Sequence, residues 1–436
     1  MNTLVLSQTK AKNAIEIAKA TPDKMLCIGI DIASQTHVAR AVLGTNKRFK
    51  NGCSFKTSTE GFQKITGWIN RLISSNNIEY SFISMEPTAT YWRPVYTFMK
   101  SAFPKTGVYQ VDPMAVAYSR KMHSSNMSKG DPEDAFLIAE LTQNGKCRKG
   151  IQKPQICLAL RELMRNKKHA VKQATIWERQ LRHILENLMP GITNIIPEKC
   201  DSDVYAVFNK TTNPEKIRSL SLDKWLELNY EFKCPTTKLK QFYKLACLDI
   251  KAFEDYSFGS NNWECVWTAY KQAHYQCESF KELIINTVKK HPAFENLMTI
   301  PGLGPLTIAG FIAAVGDLNQ YSNSSQIEKV FGFDLQRNQS GKKESVPKIT
   351  KRGYSLGRTA MYLAAFAGCK LNAWHDYYQR KKANSGSGNK ALIALAAKIA
   401  RTAFQIAVNN EPFDSRKIMP VGRGQLSRSA SGFSIS

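Results

Sequence analysis

Two short apolar runs, residues 25–31 (MLCIGID) and 80–86 (YSFISME), each end in a carboxylate. Runs of this length read as strands, and acids at the ends of adjacent strands project to one edge of a sheet. Segments 37–43 and 49–56 follow the first run at hairpin distance. Segment 61–73 sets Phe62, Ile65, Trp68, Ile69 and Leu72 at helical spacing. A helix over 91–102, a strand over 107–111 and helices near 113–121 and 132–144 complete the order. Residues 25–145 therefore read as α/β.

A three-strand meander followed by alternating helices and strands is the order of the RNase H-like fold. Pro154 ends that region. Residues 156–188 then form one helical pattern without Pro or Gly, stopping at Met189-Pro190-Gly191. A helix of roughly 33 residues extends about 50 Å. It reads as a coiled-coil arm, with a bent helix inside a bundle as the alternative. Residues 191–290 read as mainly helical and carry Trp225, Tyr230, Phe232, Phe242, Tyr243, Trp263, Trp267 and Tyr270 among lysines. Such aromatics either form core or stack on nucleic acid. The expected organisation is an α/β domain over 1–150, the arm over 151–190, a helical linker or insertion over 191–290, an all-α domain over 291–408 and a disordered basic tail over 409–436.

Sixty-one Lys and Arg against 35 Asp and Glu leave a net charge of +26. An excess of that size attracts polyanions, nucleic acid first among them. Half of it falls in residues 331–436, which hold 18 Lys and Arg against 5 Asp and Glu. The ten cysteines include no CxxC pair, so no zinc ribbon or finger is expected. They read as reduced thiols, and His274 with Cys277 lacks a second pair to complete a metal site. No run of 18 apolar residues and no signal-peptide core appear, so a cytoplasmic protein without a membrane span is expected.

Four acids stand out. Asp31 and Glu86 close the two strands, and Asp131 and Asp134 lie three apart in Lys129-Gly130-Asp131-Pro132-Glu133-Asp134-Ala135, on one face of a helix. Together they could hold two divalent cations that activate an attacking oxygen and stabilise the leaving oxygen at a phosphodiester. Asp131-Pro132 with Asp134 is also a good helix start, so that pair has a purely structural alternative.

Farther along, Ile300-Pro301-Gly302-Leu303-Gly304-Pro305 separates two helical patterns and resembles a helix-hairpin-helix. Gly302 and Gly304 would make the turn and present N–H groups to a phosphate. Phe331-Gly332-Phe333 precedes Gln336-Arg337-Asn338-Gln339-Ser340-Gly341-Lys342-Lys343, and Lys351-Arg352-Gly353 leads into a helix from Ser355 that carries Arg358. A serine beside glycine among cations suits phosphoryl transfer, the hydroxyl attacking phosphorus and the cations offsetting charge on its oxygens. A phosphate-binding loop with a spectator serine fits the same residues, and Tyr354 is a rival nucleophile.

These motifs, in this order, resemble the DEDD transposases of bacterial insertion sequences, the group that includes Piv-type DNA invertases and bridge-RNA-guided recombinases. The resemblance covers about 25–190 and 290–408. It rests on GID at 29–31, MEPT at 85–88, the acid pair before Ala135, the IPGLGP hairpin, SGK at 340–342 and KRG at 351–353. It implies a RuvC-like domain in which Asp31, Glu86, Asp131 and Asp134 bind magnesium or manganese. It also implies a coiled-coil arm and a C-terminal transposase domain with Ser340 as nucleophile, forming a 5′-phosphoserine link. Arg337, Lys342, Lys343, Lys351, Arg352 and Arg358, with the two hairpin glycines, are the expected nucleic-acid contacts. The implied partners are donor and target double-stranded DNA, a noncoding guide RNA and further copies of the chain, from dimer to tetramer.

The chain departs from the family pattern at three places. Gly130 and Pro132-Glu133 stand where Thr and Arg-Ile are frequent. Asn338-Gln339 precede a single serine where His-Ser-Ser is frequent, and Ser345 lies nearby. The 191–290 stretch is long for the family. A metal-dependent Holliday-junction nuclease using the four acids alone, or a basic nucleic-acid scaffold without catalysis, are the competing functions.

Overall fold

A computed structural model describes residues 15–44, 47–87, 90–123, 131–149, 154–196, 202–248, 257–336, 339–340, 343–344 and 348–417. For residues 131, 149, 202, 257–260, 339, 340, 343, 344 and 417 the backbone alone is described. The chain divides into two units, residues 1–153 with 319–322, and residues 154–318 with 323–436.

In the first unit, β1 (Met25–Asp31) is central. It pairs antiparallel with β2 (His37–Leu43) and parallel with β5 (Tyr80–Met85). β5 pairs parallel with β6 (Gly107–Val111), and β6 antiparallel with β7 (Cys147–Lys149). The expected third strand, 49–56, is broken. β3 (Lys47–Arg48) and β4 (Cys53–Phe55) pair with opposite ends of β2. The three-residue β7 was not expected from the sequence; Gly145 at φ 72° releases the chain from the preceding helix into it.

Both faces of the sheet are covered, which is why β1 reads as a nearly unbroken apolar run with six of its seven residues buried. On one face Ile28, Ile30, Ile83 and Met85 pack with Ile65, Trp68, Val95 and Tyr96 from α1 (Thr59–Ser75) and α2 (Trp92–Ala102). On the other, Cys27, Phe82 and Tyr109 meet Phe136 and Ala139. Helices α3 (Pro113–His123) and α4 (Asp131–Gln143) complete this unit. Burial pushes the Cys147 thiol up to about 12 and Cys27 higher still, so both are inert thiols.

The second unit opens with α5 (Gln155–Leu188), a 34-residue helix. Its partner is in the same chain. After the short helices α6 (Ser202–Ala206), α7 (Pro214–Arg218), α8 (Leu222–Leu228) and α9 (Thr236–Ala246), α10 (Ser257–Val288) returns along it. Ala170 and Ala174 meet Ala273 and Cys277, while Leu181, Leu185 and Leu188 share a core with Trp263, Trp267 and Tyr270. Later α5 residues thus meet earlier α10 residues, and the pair is antiparallel.

The four short helices cap this stem around Tyr205, Phe208, Trp225 and Phe242. The buried Trp225 indole donates to the Leu239 carbonyl at 3.0 Å. Most of the described aromatics of the 191–290 stretch are therefore core, with Tyr230 at 89% and Tyr275 at 70% the exposed exceptions.

The remaining helices are α11 (Phe294–Met298), α12 (Pro305–Val315), α13 (Ser325–Phe331), α14 (Ser355–Gly368), α15 (Asn372–Ser385) and α16 (Gly388–Asn409). α12 is buried from Ile308 to Val315. Arg161 on α5 satisfies its C-terminal carbonyls, with Nε to Ala313 O at 2.5 Å and Nη2 to Ala314 O at 3.3 Å. α16 is long and apolar enough to cross a membrane by length and composition, but half of its apolar window is buried inside the protein, as in the core helix of a helical domain. Beyond it the chain stays structured through Lys417. Phe413 N–H donates to Thr299 Oγ1 at 2.8 Å, and its ring tilts against Trp374.

Candidate active site

Strand register builds the carboxylate edge. Ile30 is aligned with Met85 across the parallel β1–β5 pair, so Asp31 and Glu86, each one residue on, are lateral neighbours. Alternation along β1 puts Asp31 on the face of Cys27 and Gly29, the face that α4 covers. Gly29 is where the helix touches down: a Cβ there would lie 2.0 Å from Ala135 O and 2.6 Å from Ala139 N.

The direction of α4 follows from its far end. The Gln143 amide donates to the Gly44 carbonyl, and Gly44 N–H donates to Met25 O at 3.0 Å. The C-terminus of α4 therefore lies at the start of β1, and its first turn, with Asp131 and Asp134, lies at the Asp31 end.

The elements converge, but the described carboxylates do not close into a cage. Among the described residues no three His, Cys, Asp or Glu side chains stand close enough to hold a metal ion. Asp131 contributes only its backbone position. The Asp134 carboxylate accepts from Arg120 on α3, Nε to Oδ1 at 2.8 Å and Nη2 to Oδ2 at 2.6 Å. Its neighbour Glu133 is held separately by Arg48, Nη1 to Oε2 at 3.0 Å. The donor set nevertheless suits a hard divalent cation: carboxylates on two adjacent strand ends and in the first turn of the covering helix.

His37 braces the loop after Asp31. Ala33 N–H donates to its Nδ1 at 3.3 Å, which places the ring proton on Nε2, 2.8 Å from Thr57 Oγ1. The buried ring sits against Phe55, and burial holds its pKa below the usual imidazole value.

Ser340 lies in the second unit, on one of two short β-ladders that form a ribbon between α13 and α14. β8 (Leu335–Gln336) pairs with β11 (Lys348–Ile349), and β9 (Gln339–Ser340) with β10 (Lys343–Glu344), both antiparallel. Ser340 is aligned with Lys343, and Gly341 and Lys342 lie between them in the sequence. The side chains of Ser340 and Lys343, together with Arg337, Lys342 and Ser345, lie outside the described residues.

Hydrogen bonds close the base of the ribbon. Thr350 Oγ1 donates to Asp334 Oδ1 at 2.7 Å, and Lys351 N–H to Gly332 O at 3.1 Å. Gly332, at φ 68°, and Gly353 are pressed backbone to backbone. A Cβ on Gly332 would meet Arg352 N at 2.8 Å, and one on Gly353 would meet Val330 O at 2.4 Å. Arg358 Nη1 donates to Phe331 O at 2.8 Å and Lys351 O at 3.2 Å, joining the two ends of the ribbon. Lys351 and Arg352 are exposed. The Tyr354 hydroxyl is buried without a hydrogen-bond partner among the described residues, its ring under the Arg161 guanidinium at 4.4 Å, and burial raises its pKa. Those features make it a poor nucleophile.

The glycine turn before α12 has a packing role. Gly302 adopts φ 90°, and a Cβ on it would strike Ala364 O at 2.6 Å on α14. Gly304 caps α12, its N–H bonded to Thr307 Oγ1 at 2.8 Å.

Two family models match the chain: a DEDD transposase model of the IS110 type over residues 28–190, and the transposase model of the IS116/IS110/IS902 family over residues 294–379. Between them they take in the carboxylate edge and the serine ribbon, more than half of the chain. This chain belongs to the IS110 transposase family. As such it is an enzyme that cleaves and rejoins DNA strands.

Relatives fit that placement. The transposase is 21% identical to the pilin gene-inverting protein of Moraxella bovis over 89% of its own length and 98% of that protein. The pilin gene-inverting protein of Moraxella lacunata is 20% identical over the same shares. The transposase of insertion sequence element IS1111A from Coxiella burnetii is 26% identical, over 34% of this chain and 42% of its own.

Sequence reasoning missed two residues of this transposase. Arg120 and His37 carried no motif; each is known only through what it touches across a break in sequence. Arg358 was marked as a nucleic-acid contact, and its Nη1 also fastens the serine ribbon.

Proposed function

We propose that the transposase exchanges DNA strands through a carboxylate-held metal site and a serine nucleophile. The observation that carries this reading is the placement of Asp31, Glu86 and the first turn of α4 at one sheet edge, in a chain that also carries Ser340 on a short ladder paired with Lys343. The central meander and parallel strands support a RuvC-like identity for the α/β unit. Asp31, Glu86, Asp131 and Asp134 would hold magnesium or manganese, which supplies Lewis acidity at a phosphoryl oxygen and at the leaving oxygen.

Ser340 Oγ attacks phosphorus. The Oγ–P bond forms and the P–O3′ bond breaks; the serine proton passes to solvent, which returns one to the departing O3′, so the strand leaves with a free 3′-hydroxyl. The 5′-phosphate stays on the serine until another 3′-hydroxyl attacks it and expels Oγ. Lys343, Lys351 and Arg352, with Arg337 and Lys342, offset charge on the phosphate, and the Gly302–Gly304 turn contributes backbone N–H groups to the DNA.

Double-stranded donor and target DNA in the cytoplasm are the substrates. The chain acts as a homo-oligomer, of dimer to tetramer. A noncoding guide RNA supplies sequence choice. What supports the guide is the charge of +26 together with the lack, among the described residues, of a His/Cys cluster to build a zinc reading module.

The test is covalent. Ser340→Ala should abolish a protein–DNA adduct while leaving DNA binding intact, and Ser345→Ala and Tyr354→Phe should not. Asp31→Asn and Glu86→Gln should bind DNA and fail to cleave it. Cleavage by wild type without any adduct would instead favour a metal-only junction nuclease.

A further inference from the structure

The bidentate Arg120–Asp134 pair is the feature of the α/β unit that the proposed reaction leaves unexplained. Both carboxylate oxygens are engaged, at 2.8 and 2.6 Å. Asp134 keeps only 15% side-chain exposure, while Arg120 keeps 38%. The two N–H groups of the fork occupy the syn lone pair of each carboxylate oxygen, so a hard cation that binds Asp134 on that side takes the place of the fork.

Contrast Arg48, whose guanidinium bridges Glu133 and Glu140 and lies over the Phe136 ring at 4.7 Å. That cation is built into the flank of α4. Arg120 comes from a different helix, and it reaches the acid whose helical turn faces the Asp31 edge.

We infer that Arg120 is the resident counter-ion of Asp134 in the metal-free transposase, holding that carboxylate in place and giving it up to the divalent cation. Arg120 is thus a positioning residue that competes with the metal. Loading is an exchange in which a +1 fork on one carboxylate yields to a +2 ion shared with Asp31 and Glu86. The exchange also frees α3 from the first turn of α4, so metal binding loosens one helix contact as it forms the site. The inference rests on the proposed carboxylate site, and the experiment separates the two.

The probe is Mn2+ alone, titrated into the full chain freed of nucleic acid and metal, with unbound Mn2+ read by electron paramagnetic resonance. Thermal unfolding is read in EDTA and in saturating Mn2+. Arg120→Gln should bind Mn2+ roughly three- to tenfold more tightly, the range expected for removing a partly exposed competing ion pair. Arg120→Lys, which keeps charge without the fork, should fall between and guards against a misfolded glutamine variant. In EDTA, Arg120→Gln should melt below wild type, and saturating Mn2+ should close that gap.

Unchanged or weaker Mn2+ binding in both Arg120 variants, with Asp31→Asn clearly weakened, would overturn the exchange and leave the carboxylate site standing. So would an Asp134→Asn variant that binds Mn2+ like wild type. Mn2+ binding indifferent to Asp31→Asn and Glu86→Gln would remove the carboxylate site itself, and the exchange with it.

Discussion

At the scale of single residues, Gly29 shows how the site is held by an atom that is not there. The α4 backbone occupies the space a Cβ would need, 2.0 Å from Ala135 O. Gly29→Ala must push the helix off the sheet or break the ladder. The α/β unit should lose about 3 kcal/mol or more, with strand cleavage lost although no acid is altered. Gly67, in the middle of α1 with nothing within 4 Å of its would-be Cβ, is the contrast: Gly67→Ala should raise stability by about 0.5–1 kcal/mol. Denaturation followed by circular dichroism reads both.

His37 gives a pH effect of definite sign. The folded ring stays neutral where an unfolded imidazole takes up a proton, so the unfolded chain binds more protons below about pH 6.5. Stability is full above that value and falls as pH drops through the lower folded pKa. The urea midpoint should fall between pH 7.5 and 5.5, and His37→Gln should flatten part of the slope. His291, also lowered by burial, accounts for a further part. An equal slope in the His37 variant would assign the effect elsewhere.

Among elements, the serine ribbon is a device of small pieces: two-residue ladders, two glycines in backbone contact and one arginine across the ends. Arg358→Ala removes hydrogen bonds to Phe331 O and Lys351 O while leaving the buried helices alone. Its global cost should be about 1 kcal/mol. Hydrogen exchange over 334–350 should rise much more, and adduct formation should drop. Exchange confined to wild-type rates would show that the ribbon needs no such tie.

The elements also show what could be read in advance. β1, β2, β6 and α5 were legible to within a residue, because each is a sustained apolar pattern with clear ends. The third strand was not, since its two halves pair with β2 through five residues in all and carry little periodicity of their own. Nor was α10 recognised as the return partner of α5. Its stem face, Trp263, Trp267, Tyr270, Ala273 and Cys277, has helical spacing, but spacing alone does not say which distant helix that face packs on. The acids at strand ends were visible as candidates because strand ends are visible; the hold of Arg120 on Asp134 depends on how α3 and α4 pack, which no local pattern encodes.

For the whole molecule the governing quantity is charge. A net of +26 should make nucleic-acid affinity fall steeply with salt, each neutralised phosphate contributing about −0.9 to the slope of log K against log salt on duplex DNA. Where the charge sits can be decided by truncation. Residues 418–436 hold only two basic side chains, Arg423 and Arg428. Ending the chain at Lys417 can therefore flatten the slope by no more than about 1.8. The fold should be unaffected, because Phe413, the residue that fastens this segment to Thr299 and Trp374, is retained. Neutralising Lys351 and Arg352 together removes the same formal charge from exposed positions at the base of the serine ribbon. It should flatten the slope comparably and also lower adduct yield, which the truncation should not. The comparison is a salt titration of DNA binding from about 50 to 200 mM for the three proteins, with adduct measured alongside. A slope that collapses on removing 418–436 would place the dominant contacts in the terminal segment rather than around the ribbon. Equal slopes in all three would show that the charge acts through neither.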